Sequence, residues 1–418
     1  MGATLTTVLP MLREHVRDSI TDIWFEADKT ITPFMASMES KSMDDGMGRG
    51  YVIPVQYGMG SSVSSTFATA QGISQGSAAG NAAARDRWIV QASTINATAQ
   101  WTRDAILGAK GADELFDVMQ KEMDAKIARI RQRVSHYGWE AGYGRVGTLS
   151  AITTSQITFA SASVMNRLEV GDWLNASATI DGALRYATDA QITTIDPDTG
   201  ICATAVDVSG GSYAWGATDI IFFGGDHTQS TLTQPVGMRG WVPPSAPSGS
   251  FMNITRTGIP ALTGLRLDCT SLDHATALIR GGQKLFKFGS KPNVAFLSAE
   301  DYGTLTCDKE SVKLVGMTLG KYEIGFDAFP LNSPAGMIKV LPDAMMEQGN
   351  YWMGPFDDKN FAPFLIHNDD LVNVDNIDGL DVARLAASTA FEMRLYFRGA
   401  IAVPAPGKFL CGSSLPTS

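Results

Sequence analysis

A chain of 418 residues can bury a large core and hold about two or three domains. Its net charge of −10 and the scatter of its 33 basic residues exclude a dedicated nucleic-acid binder, which clusters Lys and Arg against phosphates. No apolar run approaches the roughly 20 residues that cross a bilayer, and no basic-then-apolar signal opens the sequence. We therefore expect a protein that matures in the cytoplasm and has no membrane partner. Only 18% of the residues are charged, against about 25% in typical soluble proteins, which fits either surfaces covered by other molecules or a Gly-rich β protein with ordinary surfaces.

Residues 1–45 are predicted to form an N-terminal arm. Leu12, Val16 and Ile20 fall on one face of a short helix, and the stretch that follows has no clear period. The next segment, 46–101, has two predicted strands, Tyr51–Tyr57 and Arg87–Ile95. The residues between them, 58–86, are almost wholly Gly, Ser, Ala, Thr, Gln and Asn. A loop this long is either an extended hairpin that lies on a neighbouring molecule or a plain flexible linker.

Residues 113–137 are predicted to form a long helix. Acidic residues begin this stretch, arginines lie near its end as the helix dipole favours, and Gly138 follows it. At 1.5 Å per residue the helix would be about 37 Å long. One apolar stripe runs along it at spacings of three and four residues, formed by Leu115, Met119, Met123, Ile127, Ile130 and Val134.

The second half of the chain mixes strands and helices. Short alternating apolar runs separated by turns predict a small β-barrel over 146–228, inserted into the main fold, and a proline-rich linker over 241–247 follows it. We predict a helix that Ser271 caps and that ends at Gly281 and Gly282. A strand over 292–297 then leads into a helix capped by Ser298, and a long strand over 391–403 closes the chain.

Several short motifs suggest chemistry, and none has the required context. Gly142, Gly144 and Gly147 spell GxGxxG, but the motif follows a helix and precedes strands, the reverse of a dinucleotide site. The run 196–200 is interpreted as a hairpin turn and not as a calcium loop. Five aspartates, Asp369, Asp370, Asp375, Asp378 and Asp381, are interpreted as a solvated loop, with a hard cation at an interface as the alternative.

No nucleophile, histidine pair or cysteine pair has the spacing of a catalytic or metal site. The four cysteines lie far apart and are predicted to be buried free thiols. We therefore predict no enzyme activity, no cofactor and no metal.

The order of these parts resembles the major capsid proteins of tailed bacteriophages, which share the Hong Kong 97 capsid fold. The segment Lys291–Tyr302 is similar to a strand-then-helix passage of that family, and Arg394–Gly399 is similar to its closing strand. The resemblance implies an α+β fold. Its parts would be an arm (1–45), an extended loop (46–101), a peripheral domain with the spine helix (102–145), the inserted β domain (146–228), a linker with peripheral strands (229–267), an axial domain (268–370) and peripheral return strands (371–418).

The resemblance implies a shell protein that assembles with itself into pentamers and hexamers around double-stranded DNA, contained without sequence-specific binding. Scaffolding, portal and decoration proteins are the expected partners, and the virion capsid, assembled in the host bacterial cytoplasm, is the expected location. At the base of the extended loop, six residues are the predicted inter-subunit contact: Tyr51, Val52, Ile53, Trp88, Ile89 and Val90. Some family members weld their shells through a lysine in this loop, but this chain has no lysine between Lys41 and Lys110.

Two other structural classes remain open. An encapsulin, a bacterial compartment of the same fold, is the nearest alternative, although the β insertion and the long arm favour a phage. A β-rich phage tail or adhesion protein is the second alternative, which the charge-graded helix over 113–137 disfavours.

Overall fold

The computed structural model describes residues 32–42, 50–59, 63–68, 84–102, 112–307, 320–321, 327–367, 371–375, 383–384 and 390–416. Over these residues the chain has the mixed α and β architecture that the sequence predicts. The predicted arm helix, most of the glycine-rich stretch 58–86 and all the clustered aspartates but Asp375 lie outside the described residues.

The long helix is confirmed. It spans 26 residues, and its apolar face contributes Ile130 and Val134, each 1% exposed, to a buried core. The helices with described bounds are α1 (Pro33–Ser37), α2 (Ala112–Tyr137), α3 (Met238–Trp241), α4 (Pro260–Thr263), α5 (His274–Lys287) and α6 (Ala299–Cys307), and 3₁₀ turns span Ala162–Arg167 and Pro406–Lys408.

A six-stranded sheet packs against α2, the helix that the sequence resemblance assigns as the spine helix. Its strands are β1 (Glu39–Ser42), β4 (Ser93–Thr102), β19 (Phe364–His367), β20 (Asn373–Val374), β21 (Ala383–Arg384) and β22 (Ala390–Ala402). The closing strand β22 confirms the prediction. It pairs antiparallel with β4 from Ala390 opposite Thr102 to Gly399 opposite Ser93, so the end of the chain is joined to the segment that follows the hairpin.

A seven-stranded sheet forms the second layer. Its strands are β13 (Leu265–Asp268), β14 (Val294–Ser298), β15 (Gly320–Lys321), β16 (Asp327–Ser333), β17 (Gly336–Asp343), β18 (Asn350–Gly354) and β23 (Leu410–Ser413), in the order β13-β23-β18-β14-β17-β16-β15. All five residues of β14 are buried, which fits a strand in the middle of a covered sheet. Ser298 at its end caps α6 as predicted, its Oγ accepting from the Asp301 amide at 3.1 Å.

In chain order, a closed barrel of six strands follows the spine helix and precedes the strands of the second sheet. Its strands are β5 (Arg145–Ile152), β6 (Gln156–Phe159), β7 (Trp173–Ser177), β8 (Ala190–Asp196), β9 (Ile201–Thr204) and β10 (Ile220–Phe223). The chain enters and leaves it at one place, since a Cβ on Gly144 would lie 2.8 Å from the carbonyl oxygen of Asp226. The insertion of this barrel into the main fold as a separate domain stays a prediction.

The predicted domain boundaries stay predictions, and the partners of two strands bear on where these boundaries fall. Strand β19, predicted to be axial, lies in the six-stranded sheet beside β22. Strand β23, predicted to be a peripheral return strand, lies in the seven-stranded sheet between β13 and β18. The predicted strand over 87–95 is also two strands, which belong to different sheets: β3 (Arg85–Val90), of the two-stranded sheet described below, and β4.

A short hairpin supports β3 from the side of the body. Its strands are β11 (Ser250–Phe251) and β12 (Ile254–Thr255), which pair antiparallel. The Ile89 amide donates to the carbonyl of Met252, in the turn between them, at 3.1 Å. This bond ties β3 to the main fold.

One local prediction is wrong for a packing reason. Helix α5 begins after Asp273 and runs through Gly281 and Gly282, where a Cβ would lie 2.6 Å from Tyr351 Oη and 2.9 Å from Ser333 Oγ respectively. The glycines therefore bring the helix close to the sheet and do not end it. The predicted linker over 241–247 begins in the core, since Trp241 is 0% exposed and its indole N–H donates to the carbonyl of Ile401 at 3.0 Å.

Candidate assembly surfaces

A two-stranded hairpin leaves the body of the subunit at Gly50. Strand β2 (Tyr51–Gln56) pairs antiparallel with β3, and Ile53 lies opposite Trp88. Gly50 has φ of +88°, and a Cβ there would lie 2.5 Å from the Val90 carbonyl oxygen, so the position requires glycine. The hairpin of the predicted extended loop is thus present, with its base held to the body.

The base of the hairpin is anchored inside its own subunit. Trp88 is 0% exposed, and its ring lies edge-on to Trp241 at 5.3 Å between centroids. Ile53 and Val90 are buried in the same core cluster. The prediction that Trp88, Ile53 and Val90 contact a neighbouring subunit is therefore wrong for these three side chains, because the subunit itself covers them.

The other three predicted contact residues are less covered. Tyr51 is half-buried and meets Phe364 edge-on at 5.8 Å, and Ile89 is half-buried. Val52 is 40% exposed. Inter-subunit contact stays a prediction for these three, and Val52 offers the most free surface of the six.

The free apolar surface of the hairpin lies beyond its base. Met59, Val63 and Phe67 are 97%, 85% and 95% exposed. Sequence reasoning passed over them because the stretch around them is dominated by small and polar residues. The available signal was the presence of isolated large apolar side chains in a segment with nothing of its own to bury.

An open apolar cleft of about 440 Å³ lies between the hairpin and the body. One wall is Val55–Met59 of the hairpin, and the other includes Leu265, Phe288 and Phe361. Phe288 is 54% exposed, so the cleft is open to solvent. It is a concave apolar surface beside a protruding apolar one.

The spine helix is joined to the barrel by partly buried ion pairs. Arg129 is paired with Asp172, and Arg133 donates to Asp226 at 3.1 Å. Tyr137 donates its hydroxyl to the same Asp226 carboxylate at 2.5 Å, and burial raises the pKa of Tyr137 well above its ordinary value. The predicted helix-dipole role of these arginines is therefore supplemented by a tertiary one: they fix the barrel on the helix.

A second ion cluster, largely buried, joins the end of the spine helix, the barrel and the seven-stranded sheet. The Arg145 guanidinium donates to Glu140 at 3.1 Å and to Glu347 at 2.6 Å, and Arg239 donates to Glu347 at 2.6 Å. Burial alone would raise the pKa of Glu347, but Arg145 and Arg239 outweigh it and hold that pKa well below its usual range. Removal of one partner would leave buried charge uncompensated and would therefore destabilise this junction.

The N-terminal segment is tied to the core beside this junction. The Phe34 ring lies 4.2 Å from Trp139, and the Phe34 amide donates to Asp343 at 3.3 Å. Burial raises the pKa of Asp343 to about 6, although the amides of Met345 and Phe34 stabilise its charged form. The arm thus enters the body at a fixed point.

The motifs set aside in the sequence have structural roles. Gly142 and Gly144, with φ of +87° and +76°, form the turn between the spine helix and the barrel. Asp196 accepts hydrogen bonds from Asp198 and Thr199 in the turn between β8 and β9, which confirms the predicted hairpin. Within the described part of the chain, no group of three or more His, Cys, Asp or Glu side chains could hold a metal.

Three of the four cysteines are buried free thiols, as predicted. Cys307, at the end of α6, is exposed, so the prediction is wrong there. Of the described helices, none combines the length and apolar character needed to cross a membrane.

Of the comparisons with known proteins, the one with solved structures gave matches. No family model matches the sequence, and none of the curated proteins matches it. The structure is similar to the capsid of a native GTA particle, at 10% identity and a TM-score of 0.45, over 96% of each chain. It is similar to the Cyanophage A-1(L) capsid, at 10% identity and a TM-score of 0.47, over 94% of each chain.

It is also similar to an encapsulin from Synechococcus elongatus PCC 7942, at 6% identity and a TM-score of 0.45, over 98% of this chain and 96% of that chain. Phage capsids and an encapsulin are the classes of shell that the sequence resemblance named. At these identities and TM-scores, function has to be inferred from this chain's own residues.

Proposed function

We propose that this chain is a tailed-phage major capsid protein that assembles with itself, as pentamers and hexamers, into an icosahedral shell around double-stranded DNA. The observation that carries the proposal is the hairpin. It is anchored inside the subunit by Trp88 and presents Met59, Val63 and Phe67 to solvent at 85–97% exposure. Large exposed apolar groups that lie close together along the chain mark a surface that another molecule covers.

The charge distribution supports containment of DNA without binding to it. The barrel segment 146–228 has nine Asp and Glu residues against two arginines and no lysine, a net charge of −7 out of −10 for the whole chain. Such a surface repels a polyanion. The barrel therefore lies on the outer face of the shell, away from the packaged genome.

Assembly is tested by sedimentation and negative-stain microscopy of the expressed protein, alone and with a scaffolding protein. Closed shells of megadalton mass are the expected result. A homogeneous monomer under every condition would remove the proposal.

The outward position of the barrel has its own test. A cysteine placed at Thr199, on the exposed turn between β8 and β9, is reacted on intact shells with a maleimide polymer too large to enter them. The background carries Cys307→Ser, since Cys307 is exposed and the other three cysteines are buried. We expect complete labelling of intact shells. Labelling only after the shells are dissociated would place the barrel inside.

The nearest alternative is an encapsulin-type shell, and a β-rich tail or adhesion protein is the other. Purified particles distinguish them: a phage head contains double-stranded DNA, an encapsulin contains protein cargo, and a tail or adhesion protein forms no closed shell. Virion location, assembly in the host cytoplasm, and scaffold, portal and decoration partners all rest on the phage assignment. The proposed role is structural, without catalysis.

A further inference from the structure

We propose that the Phe67 side chain of one copy inserts into the apolar cleft beside the hairpin base of a neighbouring copy. The inference rests on the proposed function and names the surface that receives the hairpin. The donor is the described segment 63–68, between the two strands of the hairpin, where Phe67 and Val63 are exposed to solvent. The receptor is the cleft between Val55–Met59 and the body residues that include Phe288 and Phe361.

The cleft has the size and chemistry to take an aromatic side chain. Its volume of about 440 Å³ lies within the roughly 300–1,000 Å³ of pockets that enclose a ligand. Lys408 is the charged residue that lines it, and its Nζ is already bonded to the Gly289 carbonyl at 2.7 Å. With that amine engaged, the walls offer apolar and aromatic surface, which suits Phe67 better than a polar ligand.

A second copy is the occupant because one chain leaves both surfaces uncovered. Phe67 is 95% exposed in its own subunit, so it does not fill its own cleft. Each chain therefore carries one protruding donor and one open receptor. Since these are different patches, the contact they make is head-to-tail, and such contacts close into rings when the rotation between copies allows.

Heterotypic disulfide trapping tests the contact. One preparation carries Phe67→Cys and another Phe288→Cys, both with Cys307→Ser, because Cys307 is the exposed native thiol. The two are co-assembled, oxidised and run on a non-reducing gel. We expect a two-chain band only when both variants are present. The matched control pairs Phe67→Cys with Trp173→Cys, an exposed barrel residue, and should give no such band.

A double-mutant cycle supplies the energetic test. Phe67→Ala and Phe288→Ala should each raise the protein concentration needed for assembly by about tenfold. The double variant should be little worse than either single variant, since both remove the same contact. Subunit folding should be unchanged in Phe67→Ala, because that side chain is 95% exposed.

Shells that form without the heterotypic band, or single-substitution effects that simply add, would overturn this inference and leave the proposed function standing. A disulfide that forms within one chain carrying both cysteines, in dilute monomer, would also overturn it. A wild-type protein that never associates overturns both proposals.

Discussion

Single side chains decide whether the hairpin base is a structural or an assembly element. Trp88 is enclosed by Trp241 and Phe251, with centroid distances of 5.3 and 6.2 Å. Asp343 and Glu347 show that burial and charge partners act in opposite directions: burial raises the pKa of Asp343, while two arginines lower that of Glu347. Substitutions of Trp88, Asp343 and Glu347 are therefore expected to have different effects on stability.

Trp88→Ala is expected to lower the free energy of unfolding of the isolated subunit by about 3–5 kcal/mol, the cost of a large cavity in a core. Denaturant unfolding measures it. Trp88→Phe is the matched control and should cost much less, because it keeps an aromatic ring and removes an N–H that has no hydrogen-bond partner among the described residues. Val52→Ala, at a side chain that is 40% exposed, should cost little. A Trp88→Ala subunit as stable as the wild type would instead restore the inter-subunit role.

The contribution of Asp343 to the free energy of unfolding is expected to fall as the pH rises from about 4 to about 6. Its pKa is raised from 3.8 to about 6 in the folded state, so the folded protein binds that proton more tightly than the unfolded chain does. The resulting stabilisation is present below the ordinary value and is lost as the pH passes the folded pKa, a change of roughly 2–3 kcal/mol.

Asp343→Asn should remove this dependence, because the amide side chain does not titrate. The measurement is the free energy of unfolding of the variant minus that of the wild type, followed from pH 4 to pH 7. That difference should increase as the pH rises, since the wild type loses the contribution of the protonated carboxyl and the variant does not. Parallel curves for the two proteins would contradict the assignment.

At the scale of elements, the barrel is expected to depend less on the spine helix for its stability than the rest of the subunit depends on the barrel. The barrel is closed, so its strands have no free edges, and its interior is filled by apolar residues such as Leu174 and Ile221, each 0% exposed. The helix, in contrast, has Tyr137 and Arg133 bonded to Asp226 of the barrel segment. The barrel should therefore survive separation better than the rest of the subunit.

The isolated segment 145–228 is expected to fold alone. Trp215 is 3% exposed and Trp173 is 51% exposed, so Trp173→Phe leaves one buried reporter. We expect a cooperative thermal transition followed by far-ultraviolet circular dichroism, with blue-shifted Trp215 emission that moves red in the same transition. Red-shifted emission at all temperatures would mean that the barrel needs the body to fold.

Replacement of 146–228 by a short Gly-Ser link is expected to give a remainder that folds with reduced stability. The sequence predicts that the spine helix and closing strands remain foldable without the insertion. The structure predicts a loss of stability on removal of the barrel, because Ile130 and Val134 lie in the same buried cluster as barrel residues. A lower midpoint of unfolding than the full chain is the expected result, and an unchanged midpoint would show that the barrel contributes nothing to the body.

For the whole molecule, the proposed shell would draw its strength from burial and backbone pairing. The segment between Lys41 and Lys110 contains no lysine, so it offers no side-chain amine for a covalent link to a neighbouring copy. Mature shells boiled in detergent should therefore run as a single band near 44.7 kDa. Each large side chain covered at a contact contributes roughly 1.5–3 kcal/mol, repeated at every subunit. Detergent-resistant ladders under reducing conditions would show covalent links by another route.

The sequence by itself determined the elements whose signal is local. The period of the spine helix, the cap at Ser298, the turn over 196–200 and the length of the closing strand all depend on neighbours within a few residues, and the structure confirms each. The class of fold followed from their order. The hairpin was located correctly for the same reason, since two β-rich runs flank a segment with nothing to bury.

Only the tertiary structure decided which surfaces are inside and which are free. Trp88 and Trp241 are distant in sequence and cover each other, and Tyr351 and Ser333 leave no room for a Cβ at Gly281 and Gly282. The partners of the Arg145 cluster likewise come from three separate segments. Burial and ion pairing are set by residues far apart along the chain, and their identity cannot be read from local pattern. The candidate assembly surface therefore moved from the hairpin base to its distal side chains and the cleft beside it.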